Sequence, residues 1–163
     1  VSWGRGLTFL PPPHLISSML SVSETVAIDA PLSDVFAYMD DPHNQAEITP
    51  SLSDVRSVED RGDDGKRLDY TYTMAGVSLD GTLETTTYEP ESRGVFDMVE
   101  GPLSGELTWE FETTDDGTRV TYSASYELPS SVLEAVVRPF AERYNERELE
   151  TALQNLKTRL ESA

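Results

Sequence analysis

From Ser21 to Tyr126 the chain mostly alternates apolar and polar residues, the two-residue period of strands with one buried face. Val22, Glu24, Val26 and Ile28 fall on one side and Ser23, Thr25, Ala27 and Asp29 on the other, predicting a strand that ends at Ala30-Pro31. A short helix follows, with Ser33 as its expected N-cap and Val35, Phe36 and Met39 as its apolar stripe. Asp40-Asp41-Pro42 stops that helix, and Asn44 to Ile48 can add another turn or two. Leu52–Glu59 reads as a strand whose imperfect alternation points to an edge or a bulge.

Five more strands are predicted, separated by turn signals at Asp63-Asp64-Gly65, Ala75-Gly76, Glu89-Pro90-Glu91, Gly101-Pro102 and Asp115-Asp116-Gly117. Their apolar positions are Leu68, Tyr70, Tyr72 and Met74; Val77, Leu79, Gly81 and Leu83; Phe96 and Met98; Leu107, Trp109 and Phe111; Val120, Tyr122, Ala124 and Tyr126. Short turns between consecutive strands imply antiparallel pairing, with an aromatic face turned inward and a Thr, Ser, Asp and Glu face in water. After Pro129 the period becomes helical. Val132, Leu133, Val136 and Val137 form a short stripe, and Pro139 either kinks the helix or starts a new one. Phe140, Tyr144, Leu149, Leu153, Leu156 and Leu160 continue it at mixed spacing, over a helix about 30 Å long.

A sheet with one apolar face must bury it, and only the C-terminal helix is long enough to lie along it. A strongly twisted antiparallel sheet curls around such a helix. The two short helices then carry the chain from one end of the sheet to the other and plug one mouth of the curl.

This order, and three stretches of sequence, resemble the helix-grip fold of the START and birch-pollen-allergen (SRPBCC) superfamily, an α+β class. The nearest likeness is to its polyketide cyclase/dehydrase-like branch. The stretches are Glu24–Met39 (ETVAIDAPLSDVFAYM), with its strand ending in Ala-Pro before a Val-Phe helix; Asp41-Pro42; and Leu153–Glu161 (LQNLKTRLE) in the closing helix. The likeness covers nearly all of Val22 to Ser162. It implies a cavity between the concave sheet face and the long helix, used by family members for lipids, sterols, quinones, polyketides or other apolar molecules, and by a few for cyclisation or dehydration.

Composition narrows the rest. At 163 residues the chain is most simply one domain, 21–163. It has no cysteine and only two histidines, His14 and His43, so neither a thiolate nucleophile nor a metal centre is expected, and no cofactor is implied. No apolar run approaches the ~20 residues that span a bilayer. The formal charge is -18, from 30 acidic and 12 basic residues, which disfavours nucleic acid as a partner. Lys66 and Lys157 are the only lysines; an acidic, lysine-poor surface reads as adaptation to a salty cytoplasm, against the plainer reading of an ordinary acidic protein. Residues 1–20 hold no Asp or Glu and contain Pro11-Pro12-Pro13. They are expected to form an appendage outside the fold, with Met19 as the natural beginning, or else to dock through Trp3, Phe9 and Leu10.

The expected ligand-binding set is Tyr70, Tyr72, Met74, Leu83, Phe96, Met98, Trp109, Phe111, Tyr122 and Tyr126 on the strands, with Phe140 and Tyr144 on the helix. Tyr and Trp join an apolar body to a polar tip that wants a partner when buried, the usual makeup of a small-molecule pocket of roughly 300–1,000 Å³. The plainer reading is that these rings fill a core. No catalytic residue is assigned: Glu24 and Arg67 are the polar candidates for the cavity, and His43 lies in a loop where histidines are usually solvated. Three functions remain open. The first is binding of a small apolar molecule, the second a cyclase or dehydratase in the same cavity, and the third a protein-interaction module with a filled core. A homodimer is compatible with all of them.

Overall fold

The computed structural model describes residues 19–74, 76–130 and 138–162, so the expected stripe at 132–137 and most of the N-terminal segment lie outside it. In chain order the elements are β1 (Met19–Ile28), α1 (Leu32–Met39), α2 (Pro42–Ile48), β2 (Leu52–Asp60), β3 (Lys66–Met74), β4 (Val77–Glu89), β5 (Arg93–Glu100), β6 (Ser104–Thr113), β7 (Thr118–Glu127) and α3 (Arg138–Glu161). Met19 and Leu20 belong to β1, and Leu20 is among the most deeply buried side chains, so the fold reaches back past Ser21.

The seven strands form one sheet in the order β1-β7-β6-β5-β4-β3-β2, and every pairing is antiparallel. β1 and β2 are neighbours along the chain yet lie at opposite edges, so α1 and α2 are the crossing between them. The backbone of Pro31, not the side chain of Ser33, begins α1: the Pro31 carbonyl accepts from Asp34 and Val35. Proline supplies the extended backbone that a cap position needs, and no side-chain cap is made. Asp41 caps α2 through its carboxylate, which accepts the His43 N–H at 2.9 Å, with Pro42 at the first helical position.

Irregularities shape the sheet. At the β2 edge the register slips twice, and Asp54 and Ser57 take positive φ of 49° and 52°. Such kinks discourage another strand from adding there. Between β4 and β5, Thr82 faces Glu100 while Leu83 faces Met98, which leaves Val99 as the extra residue of a bulge and exposes it. Gly81 lies across from Tyr70, and a Cβ there would fall 2.7 Å from the Tyr70 hydroxyl and 2.8 Å from the Glu100 carbonyl. The glycine therefore makes room for the ring.

α3 packs its Leu149, Leu153 and Leu156 into the core that also holds Leu20, Val22, Val26 and Ile28 of β1. Its C-terminal half is tied down further: Lys157 Nζ donates to the Ala27 carbonyl at 2.8 Å, and Asn155 Nδ2 to that of Ile48 at 2.9 Å. The Asp29 N–H donates to Glu161. The N-terminal half faces the middle of the sheet, and the cavity lies there.

Candidate functional site

The cavity takes its wall from six strands, β2 to β7, with the end of α2 and one face of α3. Tyr70 and Tyr72 of β3, Leu83 of β4, Met98 of β5, Leu107 and Trp109 of β6, and Tyr122, Ala124 and Tyr126 of β7 line it. Leu103, Gln45, Thr49, Leu52, Asn145 and Leu149 complete it. Its volume is about 60 Å³, below the expected range and enough for a few waters. The large rings and five leucines that converge here occupy most of the space the curl encloses.

Seven of the twelve expected residues line this cavity: Tyr70, Tyr72, Leu83, Met98, Trp109, Tyr122 and Tyr126. Met74 is fully buried core beyond its wall. Phe96 and Phe111 line a separate pocket of about 30 Å³ beneath α1, with Phe36, Met39, Asp40, Tyr88 and Trp109 among its other walls. There Phe36 meets Phe111 edge-on, ring centres 5.5 Å apart. Phe140 is 64% exposed, which excludes it from the lining. Tyr144 stands at the rim, its hydroxyl 2.6 Å from Ser51 Oγ and donating to the Thr73 carbonyl.

The misplacement of Phe140 and Tyr144 has a simple cause. The buried face of α3 runs through Ala141, Asn145, Glu148, Leu149, Ala152, Leu153 and Leu156. Counting back in fours from Leu153 and Leu149 reaches Asn145 and Ala141, one position round from the two aromatics. Apolarity selected the wrong residues where helical phase selects the right ones.

Asn145 is the polar centre that sequence reasoning missed. It is 1% exposed, and its Oδ1 accepts from the Tyr126 hydroxyl and, at 3.3 Å, from that of Tyr72. Its Nδ2 donates to the Ala141 carbonyl one turn back. Glu148, also buried, accepts the Ser51 N–H at 2.6 Å. Burial pushes the phenols upward: Tyr70 to about 12, and Tyr72, Tyr122 and Tyr126 well above the usual tyrosine value, with the negative charge of Glu148 acting in the same direction on the last three. All four are neutral near pH 7 and serve as hydrogen-bonding groups. Trp109 stacks flat on Tyr122, ring centres 3.8 Å apart.

The acid-base candidates lie elsewhere. Arg67 pairs with Glu84 at 2.9 Å and with Glu100, away from the lining. Glu24 is half-buried on β1 and His43 is exposed; neither reaches the cavity. Among the described residues no cluster of His, Cys, Asp and Glu has the makings of a metal site, and no helix is long and apolar enough to cross a membrane.

A curved antiparallel sheet gripping a long C-terminal helix, with two short helices across one end and a cavity between, defines a helix-grip protein of the START and birch-pollen-allergen kind. The chain belongs to the polyketide cyclase/dehydrase and lipid transport family, whose pattern matches residues 19–161. No curated protein matches its sequence. Among solved structures, a Thermus thermophilus protein superposes with a TM-score of 0.72 at 22% identity, covering 87% of this chain and 96% of that one. The aromatase/cyclase Zhui from a Streptomyces species gives 0.72 at 20% identity, covering 88% and 94%. A START superfamily protein from Mycobacterium smegmatis gives 0.69 at 18% identity, covering 87% and 97%. These likenesses concern the fold.

Proposed function

We propose that the chain binds a small, largely apolar molecule in the cavity between sheet and α3. The observation that carries this reading is a concave space walled by Leu83, Leu107, Trp109 and Leu149, with the hydroxyls of Tyr72 and Tyr126 gathered on Asn145 at its helix side. Apolar walls with a few convergent polar groups suit a ligand that is mostly hydrocarbon and carries one or two oxygens. At about 60 Å³ the space holds a few waters, so a ligand with even one ring enters by displacing Leu103, Leu107 or the rings beside them. The proposed place of action is a salt-rich cytoplasm, on the strength of the charge.

Native mass spectrometry of purified protein and thermal melting against fatty acids, sterols, quinones and aromatic ketones test this. A ligand that binds only the folded state raises the melting temperature in proportion to RT ln(1 + [L]/Kd). Copurified mass or a concentration-dependent rise is expected; silence in both experiments overturns the reading.

A second reading, a cyclase or dehydratase acting in the same cavity, draws on the three buried phenols of Tyr72, Tyr122 and Tyr126 gathered near Glu148. It requires turnover that a single Tyr126→Phe change abolishes while the protein stays folded.

A further inference from the structure

Trp109 sits in the middle of β6 with 3% of its surface exposed, and its indole forms part of the wall of both the main cavity and the pocket beneath α1. Among the described residues, its Nε1 is the one buried side-chain nitrogen or oxygen with no hydrogen-bond partner. An indole N–H is a donor only, and a buried donor left unpaired is unfavourable, which makes such groups rare and in need of a reason. None of the polar groups that line the two spaces accepts from it. Asn145 Oδ1 already accepts from two phenols, and Gln45, which also borders both spaces, donates its amide N–H to the Met39 carbonyl at 2.7 Å. Tyr122 meets Trp109 ring on ring.

We propose that Trp109 Nε1 is the orienting donor of the cavity, and that the molecule bound there presents an uncharged carbonyl oxygen to it. This rests on the cavity being a ligand site. An uncharged acceptor is favoured over a carboxylate or phosphate because the walls beside Trp109 are apolar and the chain carries a net charge of -18. A hydrocarbon of the same shape leaves the indole as it is, unpaired, and gains only from apolar contact. A site built around a donor discriminates against the ligand that lacks its acceptor.

The test uses a matched pair on one ring skeleton, 1-indanone with a carbonyl and indane without, titrated by NMR into the full chain and into Trp109→Phe. Wild type is expected to bind 1-indanone about tenfold more tightly than indane, and the phenylalanine variant to bind the two alike. The indole N–H signal is a second readout that needs no variant. The chain has two tryptophans, Trp3 and Trp109, and Trp3→Phe assigns them. 1-Indanone is expected to move the Trp109 proton downfield and indane to leave it in place. If neither compound binds wild type while the wider ligand panel does, the cavity reading stands and the role of Trp109 is overturned; if the panel and native mass spectrometry are silent as well, the cavity reading fails and this one with it. If both bind equally, if the preference survives in Trp109→Phe, or if the indole proton stays still as 1-indanone binds, the cavity reading stands and the role of Trp109 is overturned.

Discussion

Two phenols donate to one amide oxygen at Asn145, so removing that oxygen strands both. Asn145→Ala is expected to destabilise the protein by about 1–3 kcal/mol, the usual loss when buried polar partners are left unsatisfied. A lower urea midpoint with an unchanged m-value checks it, and a midpoint equal to wild type contradicts the assigned network. The same phenols set a pH dependence. Burial raises Tyr70 from 10.0 to about 12, and raises Tyr72, Tyr122 and Tyr126 as well. A phenol whose folded value lies above its unfolded value holds its proton more tightly when folded. Its contribution to stability is complete below pH 10, the unfolded value, and falls as pH rises through the folded one. For Tyr70 the window is pH 10 to 12, at about 1.4 kcal/mol per pH unit. Alkaline titration is expected to show these tyrosines ionising together with loss of the near-ultraviolet circular dichroism signal. Gradual ionisation of all seven tyrosines in a folded protein would argue against the buried cluster.

Helix α3 shows both the reach and the limit of reading elements from pattern. Its existence, and its place against the sheet, follow from length and from the leucines at 149, 153 and 156. The strands were equally legible, because a two-residue alternation with a turn at each end leaves one choice of face. The slips at the β2 edge were foreshadowed by the imperfect alternation of Leu52–Glu59, whereas the bulge at Val99 escaped that reading, because it follows from backbone geometry that no residue type announces. Buried polar residues escaped it too. Asn145 and Glu148 look like solvent positions by type, and only the phase of the helix places them inside. Their presence on the inner face joins α3 to the α2–β2 connection, where Glu148 holds the Ser51 N–H and Tyr144 the Ser51 hydroxyl. Thr49 and Leu52, on either side of that connection, are cavity walls. Glu148→Ala leaves a buried N–H unpaired and loosens this wall. A loss of about 1–3 kcal/mol is expected, with faster amide exchange confined to the connection and the first turns of α3. Exchange that quickens evenly over the whole sheet would show that the contact has no such local role.

At the scale of the molecule, charge decides the response to salt. Twelve basic residues set against 30 acidic ones leave 18 negative charges with no opposite partner to match them. The described ion pairs are mostly on the surface: Arg56 with Asp54 and Arg119 with Glu112, each at 3.0 Å, are typical. Exposed pairs of this kind contribute between zero and about 1 kcal/mol each. Salt weakens both these attractions and the repulsion among the unmatched carboxylates, so the sign of its net effect depends on which is larger. The excess of acid over base makes the repulsion larger, and folding concentrates it by bringing the carboxylates onto one small surface. Raising the salt from about 0.01 M to about 1 M shortens the screening length from roughly 30 Å to roughly 3 Å, which removes nearly all repulsion beyond immediate neighbours while leaving contact pairs partly intact. The melting temperature is therefore expected to rise steadily with potassium chloride, most steeply below about 0.15 M, where the screening length passes through the spacing of surface charges. Potassium chloride is the appropriate salt because strongly excluded anions such as sulfate stabilise most proteins by a different route, through apolar burial. A melting temperature that stays flat or falls across that range would mean that the pairs outweigh the excess, and the acidic surface would then be no adaptation to salt.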